Sequence, residues 1–342
     1  MKAIILDEMM DVSLNKNPLK GVNLPIPVPS KDEVLIQVSA CGVCHTELDE
    51  IEGRLPPPRL PVVLGHQVIG RVVDRGVSVN RLQVGERVGV AWIYASCGRC
   101  AYCLSGQENL CPEFRGTGRD ADGGYAQYMV VPEVSAFPIP SVFIDVDAAP
   151  LLCAGAIGYR SLRLTELQDG QSLGLTGFGA SAHLVLQLAK HIYPNSGIYA
   201  FARSESERSF ARQLGAAWVG DTFDTPPIKL HAIIDTTPVW KPVLQALNHL
   251  SPGGRLVINA IRKEESDKSI LLELDYPAHL WHEKEIKSVA NVTRRDVSEF
   301  MELAAQIPIR PEVQVYPFEE ANQALIDLKE RKIRGAKVLM IS

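Results

Sequence analysis

Hydrophobic and polar residues follow two different patterns along the 342-residue chain. Up to about residue 149, short β-rich runs are separated by glycine and proline, and helical periodicity is scarce. This pattern predicts a mostly antiparallel, barrel-like β domain. The clearest predicted strands are Met1–Asp7, Glu33–Val38 and Gln67–Val73.

From about residue 150, strand-like runs take turns with segments of helical spacing. Such alternation is typical of a doubly wound parallel sheet of the Rossmann type, so the chain is predicted to have an α/β fold. The predicted strands are Gln171–Leu175, Gly197–Phe201, His231–Asp235 and Gly254–Ile258, and the predicted helices between them are Ser181–Lys190 and Glu205–Leu214.

The last part of the chain is predicted to return to the β domain. It contains a predicted helix at Asp296–Ala305, a strand at Val313–Phe318, a further helix and a final strand at Lys337–Ile341. The predicted organisation is a catalytic β domain at 1–149, a nucleotide-binding domain at 150–292 and a C-terminal segment at 293–342.

Composition narrows the range of partners. Hydrophobic residues make up 46% of the chain, charged residues 22%, and the formal net charge is −5. With no run of Lys and Arg, neither nucleic acid nor an anionic membrane is an expected partner. No stretch has the length of a membrane span or the form of a signal peptide, so a cytoplasmic protein is predicted.

Four of the seven cysteines form a C-x2-C-x2-C-x7-C pattern. Thiols at this spacing can surround one tetrahedral ion, and a four-thiolate zinc site stabilises a loop without an open position for chemistry. The alternative is a disulfide loop or scattered buried thiols, which a reducing cytoplasm disfavours. The predicted structural zinc lobe spans 96–112, with Cys97, Cys100, Cys103 and Cys111 as ligands.

A glycine-rich loop lies between the first predicted strand and helix of the alternating region. Gly177, Gly179 and Ala182 form a G-x-G-x-x-A motif. Glycine allows the backbone to approach a pyrophosphate, and the helix N-terminus presents unpaired N–H groups to it. The position of the motif indicates dinucleotide binding, although tight strand-to-helix turns also require glycine.

The end of the next strand indicates which dinucleotide is bound. An NAD site usually places an acid there to bind the ribose hydroxyls, but this strand is followed by Arg203 and Ser204. These two residues, assisted by Arg208, can hold a 2′-phosphate. We therefore favour NADP over NAD. The alternative is that Arg203 is solvated and Glu205 reaches the ribose.

The remaining cysteines suggest a second metal site. A catalytic zinc takes three protein ligands and keeps one open position, and two thiolates with one imidazole would satisfy it. The candidates are Cys41, Cys44, Cys153 and His66, and spacing alone does not choose between Cys41 and Cys44. Cys153 as a small buried hydrophobe and His66 as a core histidine are the alternatives.

Several stretches occur in an order typical of one family. They are Cys41–Leu48, Gly65–Gly70, the cysteine lobe, Gly123–Ala126, Leu152–Gly155 and the glycine loop. On these motifs the whole chain resembles the zinc-dependent alcohol dehydrogenases of the medium-chain dehydrogenase/reductase family. The resemblance implies a GroES-like catalytic domain and two zinc ions per chain, with Cys44, His66 and Cys153 as catalytic ligands and Cys41 outside the site.

The resemblance also implies a reaction and roles for further residues. Zinc would act as a Lewis acid that lowers the pKa of an alcohol, and hydride would pass to the nicotinamide. Thr46 corresponds to the hydroxyl that passes the alcohol proton towards the nicotinamide ribose. His45 corresponds to a residue that contacts the coenzyme pyrophosphate, and Arg294 to an arginine that also contacts the coenzyme. A surface charge is the alternative for Arg294.

Three residues depart from the family pattern. Asp49 stands where many relatives end the proton relay in histidine, and we expect it to play a secondary part because a carboxylate is a poor proton acceptor at neutral pH. Gln67 replaces the usual acid after His66 and should leave the site less negative. Glu47 replaces the usual Asp that orients His66.

The resemblance implies small-molecule alcohols or aldehydes as substrates. Trp92, Ile51 and Leu55 could form an apolar pocket for them, with core packing as the alternative. A polyol or sugar dehydrogenase would need polar groups there, and a non-catalytic nucleotide or redox sensor would not need an open zinc position. Relatives are homodimers or homotetramers joined through the nucleotide-domain sheet, and the sequence does not choose between the two.

Overall fold

The computed structural model describes residues 1–307, 309–330 and 335–341. The chain divides into two compact units. The first comprises Met1–Cys153, Val292–Gln306 and Arg310–Ser342, and the second comprises Ala154–Asn291 and Ile307–Ile309. Of the predicted C-terminal segment 293–342, residues 308, 331–334 and 342 lie outside the described residues.

The first part of the chain consists mainly of strands. It also contains helices α1 (His45–Ile51), α2 (Ala101–Leu104) and α3 (Asp145–Pro150), and a π-helical turn at Leu151–Gly155. The strands are β1 (Lys2–Leu6), β2 (Lys20–Asn23), β3 (Glu33–Val43), β4 (Val62–Val63), β5 (Val68–Arg75), β6 (Arg87–Val90), β7 (Ile93–Ala95), β8 (Arg115–Gly116), β9 (Tyr128–Pro132) and β10 (Ala136–Pro138).

The second unit is a parallel sheet with intervening helices, as the alternating pattern predicts. Its elements are α4 (Ala156–Leu164), β11 (Leu173–Thr176), α5 (Ala182–Ile192), β12 (Ile198–Phe201), α6 (Glu205–Gln213), β13 (Trp218–Gly220), β14 (Leu230–Asp235), α7 (Lys241–His249), β15 (Leu250–Ile258), α8 (Tyr276–His279) and β16 (Glu285–Ser288). The strand order is β13-β12-β11-β14-β15-β16, and every pair is parallel. This order is that of the Rossmann fold, so the predicted α/β fold class is confirmed.

The C-terminal strands join the sheet of the first unit. The remaining elements are α9 (Arg294–Gln306), β17 (Val313–Pro317), α10 (Ala321–Lys329) and β18 (Ala336–Met340). β18 pairs antiparallel with the second half of β3, β9 pairs with the first half, and β17 pairs parallel with β18. The main sheet therefore runs β10-β6-β5-β3-β18-β17.

Strand β3 positions the candidate site. It continues to Val43, beyond the predicted end at Val38, because Cys41 pairs with Val68 on one side and Leu339 on the other. Most of β3 is buried, which suits a central strand. The extension places Cys44 directly between β3 and α1.

None of the helices in the described ranges has the length and hydrophobicity that crossing a bilayer requires.

Candidate functional site

Three of the predicted metal ligands lie together. Cys44 is the residue before α1, His66 follows the loop after β4, and Cys153 lies in the π-helical turn. Their ligand atoms are all within 4.8 Å of one another, and His66 Nε2 is 3.4 Å from Cys153 Sγ. Ligands at typical Zn–N and Zn–S bond lengths and tetrahedral angles stand about 3.6 Å apart, so this spacing suits zinc.

The chemistry of the two thiols also suits a cation. Hydrogen bonding between them lowers the pKa of Cys44 well below its ordinary value and raises the pKa of Cys153 well above it. Without a positive charge between them, the first thiolate therefore opposes formation of the second. A divalent cation removes this opposition, and thiolates with imidazole are donors that zinc prefers.

Glu47 contacts both the imidazole of His66 and the backbone of Cys44. Its side chain is fully buried, and Oε1 lies 2.6 Å from His66 Nδ1. Its second oxygen, Oε2, accepts a hydrogen bond of 2.7 Å from the backbone N–H of Cys44. The contact with Nδ1 favours the tautomer that leaves His66 Nε2 free to bind a cation.

Thr46 and His45 occupy the first turn of α1. Thr46 is buried, and its Oγ1 lies 3.7 Å from Cys44 Sγ. His45 is exposed. The threonine hydroxyl therefore lies beside the sulfur of a candidate ligand.

Cys41 packs away from the three-residue cluster. It is fully buried, and a Cβ atom built on Gly65 or Gly124 would lie 2.9 or 3.0 Å from its sulfur. Burial raises the pKa of Cys41 well above its ordinary value. Its surroundings therefore favour the neutral thiol that fills a space beside two glycines.

Like Glu47, the other two residues that depart from the family pattern are buried. Asp49 accepts a hydrogen bond of 2.6 Å from Arg54 Nε, so its carboxylate already has a cationic partner. Gln67 packs against Gly42, where an added Cβ would lie 2.5 Å from the glutamine Oε1.

Glu50 is a buried acid beside the candidate site that no sequence motif indicated. This residue is 1% exposed, and neither carboxyl oxygen has a hydrogen-bond partner among the described residues. Burial, followed by the charge of Glu47, raises the pKa of Glu50 well above its usual range. Glu50 lies three residues after Glu47, so both acids lie on one face of α1. This spacing is the feature of the sequence that could have indicated Glu50.

The four-cysteine lobe has the geometry of a metal site. The ligand atoms of Cys97, Cys100, Cys103 and Cys111 lie within 4.8 Å of one another, and Cys97 Sγ is 3.9 Å from Cys103 Sγ. Two sulfurs on one tetrahedral zinc stand about 3.8 Å apart. Backbone N–H groups of Arg99 and Cys100 lower the pKa of Cys97 to about 6, which favours the thiolate form.

Arg294 lies against this lobe. Its backbone N–H donates a hydrogen bond of 2.7 Å to Glu108 Oε1, and its guanidinium donates one of 3.2 Å to Ser96 Oγ. Burial lowers the pKa of Arg294, against the effect of Glu108 and the lobe thiols Cys103 and Cys111. The contacts found for Arg294 therefore connect α9 with the lobe.

The glycine loop leaves room for a ligand at the start of α5. Gly177 has a φ of 79°, which favours glycine, and nothing lies within 4 Å of a Cβ built on Gly179. Ala182 is fully buried at the first position of α5. An open backbone followed by a helix N-terminus fits a pyrophosphate group.

The residues after β12 have different partners. The side chain of Arg203 is exposed, whereas Arg208 donates to the carbonyl oxygens of Ala202 and Arg203 at 2.8 and 2.9 Å. Glu205 pairs with Arg208 at 3.0 Å and with Arg212 at 2.7 Å. Ser204 caps α6 by accepting from the backbone N–H of Glu207. Thus the acid nearest the loop is already balanced by two arginines.

The three predicted pocket residues lie in different surroundings. Trp92 is half-buried beside Gly116 and Phe114, with its ring centroid 5.4 Å from that of Phe114. Leu55 is half-buried, and Ile51 is fully buried in the hydrophobic core of the first unit.

Known proteins resemble the chain over its full length. Residues 30–141 match the family described as alcohol dehydrogenase GroES-like domain. A probable alcohol dehydrogenase, AdhA, from Mycobacterium tuberculosis is 44% identical over 333 residues, which cover 96% of this chain and 94% of that protein. An alcohol dehydrogenase from Geobacillus stearothermophilus is 32% identical over 350 residues, covering 100% of this chain and 99% of that protein.

A solved structure agrees with these sequence relatives. A cinnamyl alcohol dehydrogenase from Sorghum bicolor superposes with a TM-score of 0.84 at 25% identity. The match covers 99% of this chain and 98% of the plant enzyme.

Proposed function

The chain belongs to the alcohol dehydrogenases of the medium-chain dehydrogenase/reductase family, and from this premise we propose that it is a zinc-dependent enzyme that prefers NADP. Membership makes it an oxidoreductase of alcohols. The observation that carries the zinc proposal is the cluster of Cys44, His66 and Cys153, whose ligand atoms lie within 4.8 Å of one another around a buried imidazole.

Two zinc sites are proposed per chain. Cys44, His66 and Cys153 would hold the catalytic ion, and the four lobe cysteines would hold a structural ion. When bound, the catalytic ion supplies Lewis acidity that lowers the pKa of an alcohol, and the nicotinamide accepts the hydride. Three protein ligands leave a position open for substrate, whereas four thiolates leave none.

Residues of the chain are proposed to transfer the alcohol proton and to orient the imidazole of His66. Thr46 Oγ1, 3.7 Å from Cys44 Sγ, is proposed to take the alcohol proton and pass it towards the nicotinamide ribose. Glu47 keeps the proton of His66 on Nδ1, 2.6 Å from its carboxylate. Asp49 is proposed to be secondary, since it is already paired with Arg54.

The coenzyme is proposed to bind at the glycine loop. Gly177, Gly179 and Ala182 would surround the pyrophosphate, with His45 as a further contact. Arg294 stays a proposed contact, although its hydrogen-bond partners Glu108 and Ser96 lie in the lobe.

Arg203 is proposed to recognise the 2′-phosphate of NADP, with Ser204 beside it. Arg203 is exposed, and the neighbouring Glu205 is balanced by Arg208 and Arg212. Arg208 would act by neutralising this acid and holding the loop.

Replacing Arg203 by alanine should lower kcat/KM for NADP about tenfold and leave that for NAD unchanged. A lost charge-assisted hydrogen bond accounts for a change of this size. Initial rates with both coenzymes measure it, and Lys268→Ala removes an exposed cation elsewhere in the second unit as the control. Equal losses with both coenzymes would contradict the assignment.

The substrates are proposed to be modest alcohols and the corresponding aldehydes or ketones. Trp92 and Leu55 stay candidates for the apolar pocket, whereas Ile51 packs in the core. A homodimer or homotetramer is proposed because the edge strand β16 is exposed along its length and Tyr276 and Trp281 nearby are 59% and 53% exposed.

Initial rates with a panel of alcohols and aldehydes, each with NADP(H) and NAD(H), test the function. The proposal expects turnover of small apolar alcohols and a higher kcat/KM with NADP. A clear preference for polyols would favour a polyol or sugar dehydrogenase. Coenzyme binding without turnover of any substrate would favour a sensor.

A further inference from the structure

Glu50 is a buried acid to which neither the proposed reaction nor the fold assigns a role. It is 1% exposed, and both carboxyl oxygens are without a hydrogen-bond partner in the described part of the chain. A buried carboxyl group without a partner destabilises a protein unless a positive charge nearby offsets its desolvation.

The position of Glu50 points to the three-ligand cluster. It lies one turn beyond Glu47 on α1, and Glu47 Oε1 is 2.6 Å from His66 Nδ1. Residues three apart on a helix are neighbours on one face. The carboxyl of Glu50 interacts electrostatically with Glu47, His66, Cys44 and Arg119.

The sequence after His66 makes this position significant. Gln67 stands where the motif usually carries an acid, so the immediate surroundings of the imidazole lack one negative charge. Gln67 is 4% exposed and is packed against Gly42. Glu50 supplies a carboxyl group that interacts electrostatically with the same histidine, from a helix instead of from the loop.

We infer that Glu50 is a positioning residue that replaces the acid missing after His66 and helps to retain the cation of the Cys44–His66–Cys153 cluster. This inference rests on the proposed zinc site. The effect is electrostatic, because a carboxylate near a divalent cation increases its affinity. Arg119 also interacts electrostatically with Glu50, and its positive charge favours the ionised form of this carboxyl group.

The test is the rate at which zinc leaves each site when a chelator is added to the purified protein. The His66→Ala variant lacks one of the three ligands, so it should lack one phase of zinc release. That missing phase belongs to the three-ligand site. If His66→Ala keeps every phase, the zinc proposal itself fails, and the inference fails with it.

Glu50→Gln should speed this phase roughly tenfold to a hundredfold, the range found when groups that support metal ligands are replaced. Adding Gln67→Glu to the Glu50→Gln variant should bring the rate of zinc release most of the way back to the wild-type rate, because it restores a negative charge at the residue after His66. Glu52→Gln is the matched control, since this acid pairs with Arg54 and Lys329.

Two results would overturn the inference. One is release from Glu50→Gln at the wild-type rate, with or without a change in thermal unfolding. The other is faster release that Gln67→Glu does not reverse, since a disturbed fold and not a lost charge would then be responsible.

Discussion

Glu47 is the residue whose replacement should show how the imidazole is held. It is fully buried, and each of its oxygens faces a donor: Oε2 accepts from the backbone N–H of Cys44 at 2.7 Å, and Oε1 lies 2.6 Å from His66 Nδ1. A glutamine in its place offers one acceptor oxygen, so its NH2 group must face one of these donors. If no water molecule takes the place of the lost oxygen, either the backbone N–H of Cys44 or His66 Nδ1 loses its acceptor.

The size of the effect follows from that count. A buried donor left without an acceptor costs about 1–3 kcal/mol. At about 1.4 kcal/mol for each factor of ten, Glu47→Gln should weaken zinc binding at the three-ligand site about 5- to 150-fold. The main effect of Glu47→Gln should be on the affinity for zinc, because the ligands Cys44 and His66 themselves remain.

Competition with a chelator of known affinity measures this change, and kcat/KM for alcohol oxidation measures its consequence. Glu47→Asp is the matched control, since it keeps the charge and both acceptors but is shorter by one methylene. It should lose less than Glu47→Gln. Wild-type zinc affinity in Glu47→Gln would refute the reasoning, and equal losses in both variants would show that side-chain length matters more than acceptor count.

Three further predictions concern neighbouring groups. Asp49→Ala should keep most of its turnover at neutral pH, because Asp49 is paired with Arg54; loss of kcat would instead make it an essential relay. Cys103→Ser should reduce bound zinc from two ions to one per chain and lower Tm, whereas unchanged zinc content by atomic absorption would argue against a structural ion. Gln67→Glu should raise the apparent pKa for alcohol oxidation by about one unit, because added negative charge disfavours ionisation of the alcohol; a lower pKa in the pH–rate profile would contradict this sign.

Local pattern was sufficient for the fold class and for most elements of the second unit. The helix predicted at Glu205–Leu214 is observed at Glu205–Gln213, and the strand predicted at His231–Asp235 is observed at Leu230–Asp235. These elements carry their own periodicity and end at turns, so neighbours in sequence determine them. The parallel order of the strands then follows from alternation with helices.

Pairings between distant parts of the chain were not predictable. The extension of β3 depends on β18, whose residues lie some 300 positions later, as in the pair of Cys41 with Leu339. The contacts of Arg294 likewise depend on Glu108, which is 186 residues away. Local sequence contains no signal for either.

The candidate site shows the same division. The metal motifs drew attention to Cys44, His66 and Cys153, and the structure places their ligand atoms together, while zinc binding stays a prediction. Glu50 was missed because an acid in a short helix usually faces solvent. Its burial follows from the packing around α1, which only the folded chain shows.

The most direct test of a zinc-dependent alcohol dehydrogenase is the rate of alcohol oxidation before chelation, after chelation and after zinc is returned. Activity should fall in step with the loss of zinc from the three-ligand site and should recover when that site is refilled. Full activity after this zinc has been removed would contradict the account, and the cluster of Cys44, His66 and Cys153 would then need another role.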